Sequence, residues 1–215
     1  MTKPNALLEV QGVSRSFGGL KAVQNVSLEV PQGSLTALIG PNGAGKTTLF
    51  ALLSGFLTPD SGRVVFKGQD ITGQAPHLNA KLGMTRTFQI VQPFAAQTVR
   101  ENIAVGAHLH TASREQALAT AETVAQRVGL ADQLDKLASD LTVAGRKRLE
   151  LARALATAPE LLLLDEVLAG LNPQEIAEMI PVVRAIAASG VTVLMIEHVM
   201  QAVMSLAEHV WVLAQ

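Results

Sequence analysis

The chain has 215 residues, 17 basic side chains against 18 acidic ones, a formal net charge of −1 and no cysteine. That length allows one domain or a core carrying a subdomain, while the lack of cysteine excludes disulfides and thiolate metal sites and the charge balance argues against nucleic acid held by bulk electrostatics. Hydrophobic residues make up 48% and charged ones 16%, yet no apolar run approaches the ~20 residues of a membrane span and the opening MTKPNALLEVQGV lacks the residue order of a signal peptide, so a soluble, intracellular chain is expected.

Alternation of apolar and polar residues at Leu8, Val10 and Val13, and again at Val26, Leu28 and Val30, predicts two half-buried strands. Ser34 to Ile39 is more uniformly apolar and ends in glycine, the pattern of a central strand covered on both faces. A helix follows from Gly45 to about Leu53, and Arg63–Lys67 and Met84–Gln89 are short strands between turns. From about Val99 to Asp140 the chain is rich in alanine and alternating charge, which predicts an insert of two or three helices. The α/β rhythm then resumes: a helix from about Gly145 to Ala156, a strand over Leu161–Leu164, a helix opening at Pro173 behind an Asn172 cap, and strands at Val191–Ile196 and Val210–Leu213. Pro181 is expected to kink the helix that contains it. A parallel α/β core interrupted by a helical subdomain is the predicted architecture.

The strongest chemical signal is Gly40-Pro41-Asn42-Gly43-Ala44-Gly45-Lys46-Thr47-Thr48, which satisfies G-x-x-x-x-G-K-[ST] between an apolar strand and a helix. Such a loop turns successive N–H groups toward phosphate oxygens, and the helix N-terminus adds partial positive charge. Lys46 is placed to reach the β- and γ-phosphates, and the Thr47 hydroxyl to take a position on Mg²⁺. A nucleoside triphosphate ligand is therefore expected. Leu161-Leu162-Leu163-Leu164-Asp165-Glu166 is a buried strand ending in two carboxylates. Asp165 can hold Mg²⁺ directly or through water, and Glu166, pointing the other way, can polarise a water for attack on the γ-phosphate. A plain helix cap is the bland alternative for Asp165.

P-loop, then Gln89, then the acidic strand, then His198: in this order the motifs resemble the ATPase subunit of an ABC transporter, from about Leu7 to Leu213. The resemblance implies an α/β P-loop NTPase fold, an ABC-type ATPase core with an antiparallel β subdomain and an inserted α-helical subdomain. The core would take roughly residues 1–89 and 145–215, and the helical subdomain with its signature loop roughly 90–144. It also implies ATP and Mg²⁺ as ligands, with Phe17 stacking on adenine, Gln89 contacting Mg²⁺ or water, and His198 hydrogen-bonding the γ-phosphate. Phe17 as a core residue is the competing reading. The resemblance further implies a second ABC ATPase subunit contacted through Ala169-Gly170-Leu171-Asn172-Pro173, transmembrane permease subunits and, indirectly, a solute-binding protein. The chain would then sit peripherally on the cytoplasmic face of the inner membrane. Gln89–Thr98 is the expected permease contact, although a core contact explains its apolar Phe94, Ala95 and Ala96 equally well.

Thr85–Gln89, Glu101–His108 and Ala169–Pro173 are similar to the branch that energises bacterial importers of branched-chain amino acids. Related importers take urea or short amides. The family's signature Leu-Ser-x-Gly-Gln stands here as Leu141-Thr142-Val143-Ala144-Gly145. Thr142 keeps a hydroxyl for phosphate, but Ala144 adds a methyl where glycine permits close backbone approach, and Gly145 lacks the amide. Since one subunit's signature completes its partner's ATP site, a heterodimer with one strong and one weak site is expected. Val167 and Val199 depart from the family's usual proline and aspartate. A catalytically weak, nucleotide-dependent clamp is the alternative; an ABC ATPase acting on DNA or ribosomes has no basic footprint here to support it.

Overall fold

The computed structural model describes residues 6–89 and 92–214. In chain order the elements are β1 (Ala6–Phe17), β2 (Leu20–Pro31), β3 (Leu35–Ile39), α1 (Lys46–Leu53), β4 (Ser61–Phe66), β5 (Gln69–Asp70), α2 (Pro76–Lys81), β6 (Met84–Arg86), α3 (Val99–Ala107), α4 (Arg114–Val128), α5 (Val143–Leu155), β7 (Leu161–Asp165), α6 (Pro173–Ala188), β8 (Thr192–Ile196), α7 (Met200–Leu206) and β9 (His209–Val212). Two sheets result. One is antiparallel, in the order β2-β1-β4-β5; the other is parallel, in the order β6-β7-β8-β3-β9.

The parallel sheet is covered on both faces, and alternation along its strands assigns each residue to a side. Leu161 and Leu163, with Leu194, Ile196 and Leu38, pack against α1 and the antiparallel sheet through Phe50, Leu8 and Phe66. Leu162 and Leu164, with Val193, Met195 and Ala37, pack on the other face against the helices, through Leu149, Ile103 and Met179. Every residue of β7 and β8 is buried. At ~1.5–3 kcal/mol for each fully buried aliphatic side chain, these two strands anchor both layers.

Caps set the helix boundaries. Thr98 and Glu101 form a capping box at α3, and Asn172 and Glu175 form another at α6, with Pro173 in its first turn. The α6 helix continues as one 16-residue element through Pro181. The α5 helix begins at Val143 rather than near Gly145, because the Thr142 hydroxyl accepts the Gly145 N–H at 3.1 Å and so caps the helix two residues earlier. Three short elements, β5, α2 and α7, were not expected from the sequence. The four loops that follow β3, β6, β7 and β8 leave the same edge of the sheet, where α/β folds place their ligands.

Candidate functional site

The loop between β3 and α1 is built from backbone rather than side chains. Gly45 caps α1 in a left-handed conformation (φ 92°), and a Cβ there would stand 2.1 Å from the Ala22 carbonyl oxygen. Gly40 lies nearly as close to the residue after β9: its Cβ would meet the Leu213 carbonyl oxygen at 2.2 Å. Only glycine satisfies both contacts. Lys46 curls back across the loop, its Nζ donating to the carbonyls of Gly40 at 2.8 Å and Pro41 at 2.9 Å. Ala44 is buried, and its N–H is spent on Pro41 O, so it supports the loop from beneath.

Across the sheet edge, Asp165 ends β7 almost fully buried. One carboxylate oxygen takes a 2.6 Å hydrogen bond from Arg86 Nη2, and the other, Oδ1, has no partner among the described residues. Arg86 in turn lies over the rings of Phe50 and Phe88. Glu166 adopts φ 49°, a left-handed conformation that costs ~1–3 kcal/mol in a non-glycine residue. Its N–H donates to Ile196 O at 3.0 Å, and its Oε2 accepts a 2.6 Å hydrogen bond from Gln89 Nε2. The turn therefore aims Glu166 away from Asp165 and toward Gln89. His198 is exposed just past β8. Its neighbour Glu197 is buried: Oε1 accepts the Leu168 N–H at 2.9 Å and Oε2 has no partner among the described residues. Burial raises the Glu197 carboxyl above the ordinary glutamate range, against the opposing pull of the Leu168 hydrogen bond.

These groups share a cleft of about 680 Å³ lined by Phe17, Lys21 and Ala22, by Asn42, Gly43 and Gly45–Thr48, and by Gln89, Glu166 and His198. Phe17 is 44% exposed, with Arg15 5.2 Å from its ring, so the core reading of this residue fails. A neighbouring cleft of about 530 Å³ shares Thr47 and Gln89 and adds Asp165, Arg86, Phe88, Gln92, Glu150 and Arg153. Thr142 and Ala144 line neither cleft; they sit at the start of α5, with Thr142 and Val143 exposed. Phe94, Ala95 and Ala96 are exposed rather than packed in the core, with the Phe94 ring 4.9 Å from the Arg153 guanidinium. Ile90 and Val91 of the expected permease contact lie outside the described residues. Val167 is buried in the helix-side core and Val199 precedes α7.

Sequence reasoning missed Arg86, Lys147 and Glu150. Glu150, whose carboxylate accepts the Phe88 N–H, is raised above the ordinary glutamate range by burial, with that hydrogen bond and the charges of Lys147 and Arg153 pulling it back. Helical periodicity marks Lys147 and Glu150 only as residues of α5; their partners lie in other loops.

The ABC transporter family matches residues 23–169. The high-affinity branched-chain amino acid transport ATP-binding protein LivG of Escherichia coli K12 is 39% identical over an alignment covering 100% of this chain and 90% of that protein. The corresponding protein BraF of Pseudomonas aeruginosa is 38% identical with the same coverage. Among solved structures, a nucleotide-free ATP-binding cassette from an ABC transporter superposes with a TM-score of 0.88 at 32% identity, covering 97% of this chain and 88% of that one. A cassette in its ADP conformation gives 0.87 at 33% identity, over 97% and 87%.

Proposed function

The chain belongs to the ABC transporter family as an ATP-binding, ATP-hydrolysing subunit, and from that premise we propose that it powers an importer of branched-chain amino acids. The observation that carries the chemistry is the cleft in which Lys46, Gln89, Glu166 and His198 meet. The identity to LivG and BraF along the whole chain supports the solute class.

In this reading Phe17 stacks on the adenine and the loop from Gly40 to Thr48 wraps the phosphates, with Lys46 turning from its own loop carbonyls to the β- and γ-oxygens. Glu166 takes a proton from water as the water oxygen bonds to the γ-phosphorus and the bond to ADP breaks. Gln89 orients that water, and His198 donates to the γ-phosphate oxygens. Catalysis is positioning plus electrostatics. Asp165 and Thr47 suit a divalent cation: the buried Oδ1 of Asp165 lacks a partner among the described residues, and both residues line one cleft. A carboxylate and a hydroxyl are the oxygen ligands Mg²⁺ takes, a cation that keeps waters and phosphate oxygens for its remaining positions. When bound, Mg²⁺ would neutralise charge on the phosphates.

The parts not in the cleft serve partners. Residues 1–89 and 145–215 form the nucleotide-binding core, and 90–144 the helical subdomain. The start of α5, with Thr142 and Val143 exposed and Ala144 beside them, faces the ATP site of a second, different ATPase subunit, reached through Ala169–Pro173. Ala144 weakens that trans site, and the same substitution favours a clamp as the second reading. Among the described residues no helix is long and apolar enough to cross a membrane, so permease subunits supply the membrane path. They dock near the exposed Phe94 on the cytoplasmic face, with a solute-binding protein beyond them. The test is Mg-ATP hydrolysis by the chain and its Glu166→Gln variant, alone and with partner ATPase subunits. Turnover that rises with a partner and vanishes in the variant is expected; ATP binding without turnover in every pairing selects the clamp.

A further inference from the structure

Lys147 is a cation in a costly place. Its side chain is 6% exposed on α5, and among the described residues it forms no ion pair. Its Nζ donates instead to two backbone carbonyls, Gln89 O at 3.1 Å and Glu166 O at 3.2 Å. Removing a charge from water costs several kcal/mol; the neutral carbonyls return part of that, and the attraction of Glu150, which lies beyond ion-pair distance on the same helix, returns a further part. An apolar residue would fill the position without the cost.

The two carbonyls belong to the two residues whose side chains meet 2.6 Å apart. Gln89 follows β6 and Glu166 follows β7, adjacent parallel strands in the register Arg86 with Leu163. Without a cation between them, two converging carbonyl dipoles repel and their loops are free to part. Glu166 also holds the left-handed conformation, which persists only when its surroundings fix it. Three residues along the same helix, Glu150 accepts the N–H of Phe88, the residue before Gln89. Positions i and i+3 share one helix face, so α5 grips the Phe88–Gln89 segment at two successive points.

We infer that Lys147 is a positioning residue for ATP hydrolysis, pinning the backbones of Gln89 and Glu166 to α5 so that amide and carboxylate meet at the reacting water. Because Thr142 caps the same rigid helix, about 7 Å from Lys147 at ~1.5 Å per residue, this strap also links the partner-facing turn to the chain's own hydrolytic pair. The inference rests on the roles assigned above to Gln89 and Glu166.

The experiment compares Mg-ATP turnover in the assembled ATPase for Gln89→Ala, Glu166→Gln, Lys147→Met, Lys147→Arg and the Lys147→Met/Gln89→Ala double variant. Nucleotide affinity and melting temperature are read alongside. If neither Gln89→Ala nor Glu166→Gln lowers turnover, the site assignment itself fails. If they do, Lys147→Met is expected to lower kcat roughly ten- to hundredfold, the range for a misplacement on the order of 1 Å. KM for ATP should stay within about twofold, Lys147→Arg should recover part of the loss, and the double variant should fall no further than Gln89→Ala alone. The melting temperature should hold, since an apolar replacement of a buried charge is often neutral or stabilising. Lys147→Gln, which keeps an amide donor, is read in the same assays in case Lys147→Met does not fold. Wild-type kcat in Lys147→Met, a loss that multiplies in the double variant, or a kcat loss matched by a falling melting temperature would each overturn the inference.

Discussion

Gly45→Ala separates close packing from conformational strain in the phosphate loop. The new Cβ would stand 2.1 Å from Ala22 O and 3.2 Å from a Val23 methyl, where Cβ contacts under 3.0 Å essentially never occur. The loop must therefore retreat from β2 by about 0.9 Å or more. A shift of that size takes an N–H···phosphate hydrogen bond out of range, and each such charge-assisted bond is worth ~1.5–3 kcal/mol. ATP should bind roughly ten- to hundredfold more weakly. The control is Gly33→Ala, at φ 75° with nothing within 4 Å of its Cβ. It carries only the left-handed strain of ~1–2 kcal/mol, a fall of roughly 2–8 °C in melting temperature for a chain of this size, with ATP affinity unchanged. Titration with a fluorescent nucleotide and thermal melting read both quantities. If Gly45→Ala binds ATP like wild type and melts like Gly33→Ala, the loop does not depend on this contact and the reasoning is wrong.

Arg86→Met strands the buried Asp165 carboxylate and should cost about 3–5 kcal/mol in denaturant unfolding; Mg-ATP should restore part of that by binding only the native state, and undiminished stability would contradict the pairing. Glu197→Gln tests the buried carboxyl after β8. With its pKa raised in the folded state, Glu197 stabilises fully below the ordinary glutamate value and loses that contribution as pH rises through the folded one. The variant should therefore gain on wild type as pH climbs from that ordinary value and match it in acid; parallel stability curves would sink the argument. Ala144→Gly in the assembled transporter should raise turnover despite a helix penalty of ~0.5–1 kcal/mol. Adding Gly145→Gln should help less, because the new Cβ presses on Leu141 at 3.3 Å; no gain from either removes the weak-site reading.

The phosphate loop was legible because it is contiguous: strand, nine residues and helix carry the whole signal in order. The same holds for β7 and the residue after it, where four leucines and two carboxylates state both burial and chemistry. What escaped the sequence is pairing at a distance. Arg86 and Asp165 are 79 positions apart, and Lys147 and Gln89 are 58 apart. No local period encodes either contact, since both depend on which strands become neighbours. The start of α5 was misplaced for a different reason: Val143 and Ala144 carry no helix-start signal, and Gly145 resembles a boundary until the Thr142 hydroxyl is seen to claim its N–H. Phe17 stayed ambiguous because an apolar ring reads alike in a core or on a cleft wall.

Strand order explains why residues so scattered in the chain become one site. The parallel sheet runs β6-β7-β8-β3, and the loops leaving those strands carry Gln89, Glu166, His198 and the phosphate loop in that sequence. Neighbouring strands lie ~4.8 Å apart, so three gaps span about 14 Å, a row of groups on the scale of a triphosphate and its attacking water. A sheet fixes strand ends well but leaves the loops beyond them free to diverge. They are restrained by ionisable side chains largely withdrawn from solvent: Arg86 on Asp165, Glu150 on Phe88, Lys147 on Gln89 and Glu166, and Glu197 on Leu168. Two of the four stand on α5, the helix that Thr142 caps. In the proposed dimer, where that capped end meets a second subunit, hydrolysis in this chain is tied to the helix that the partner touches.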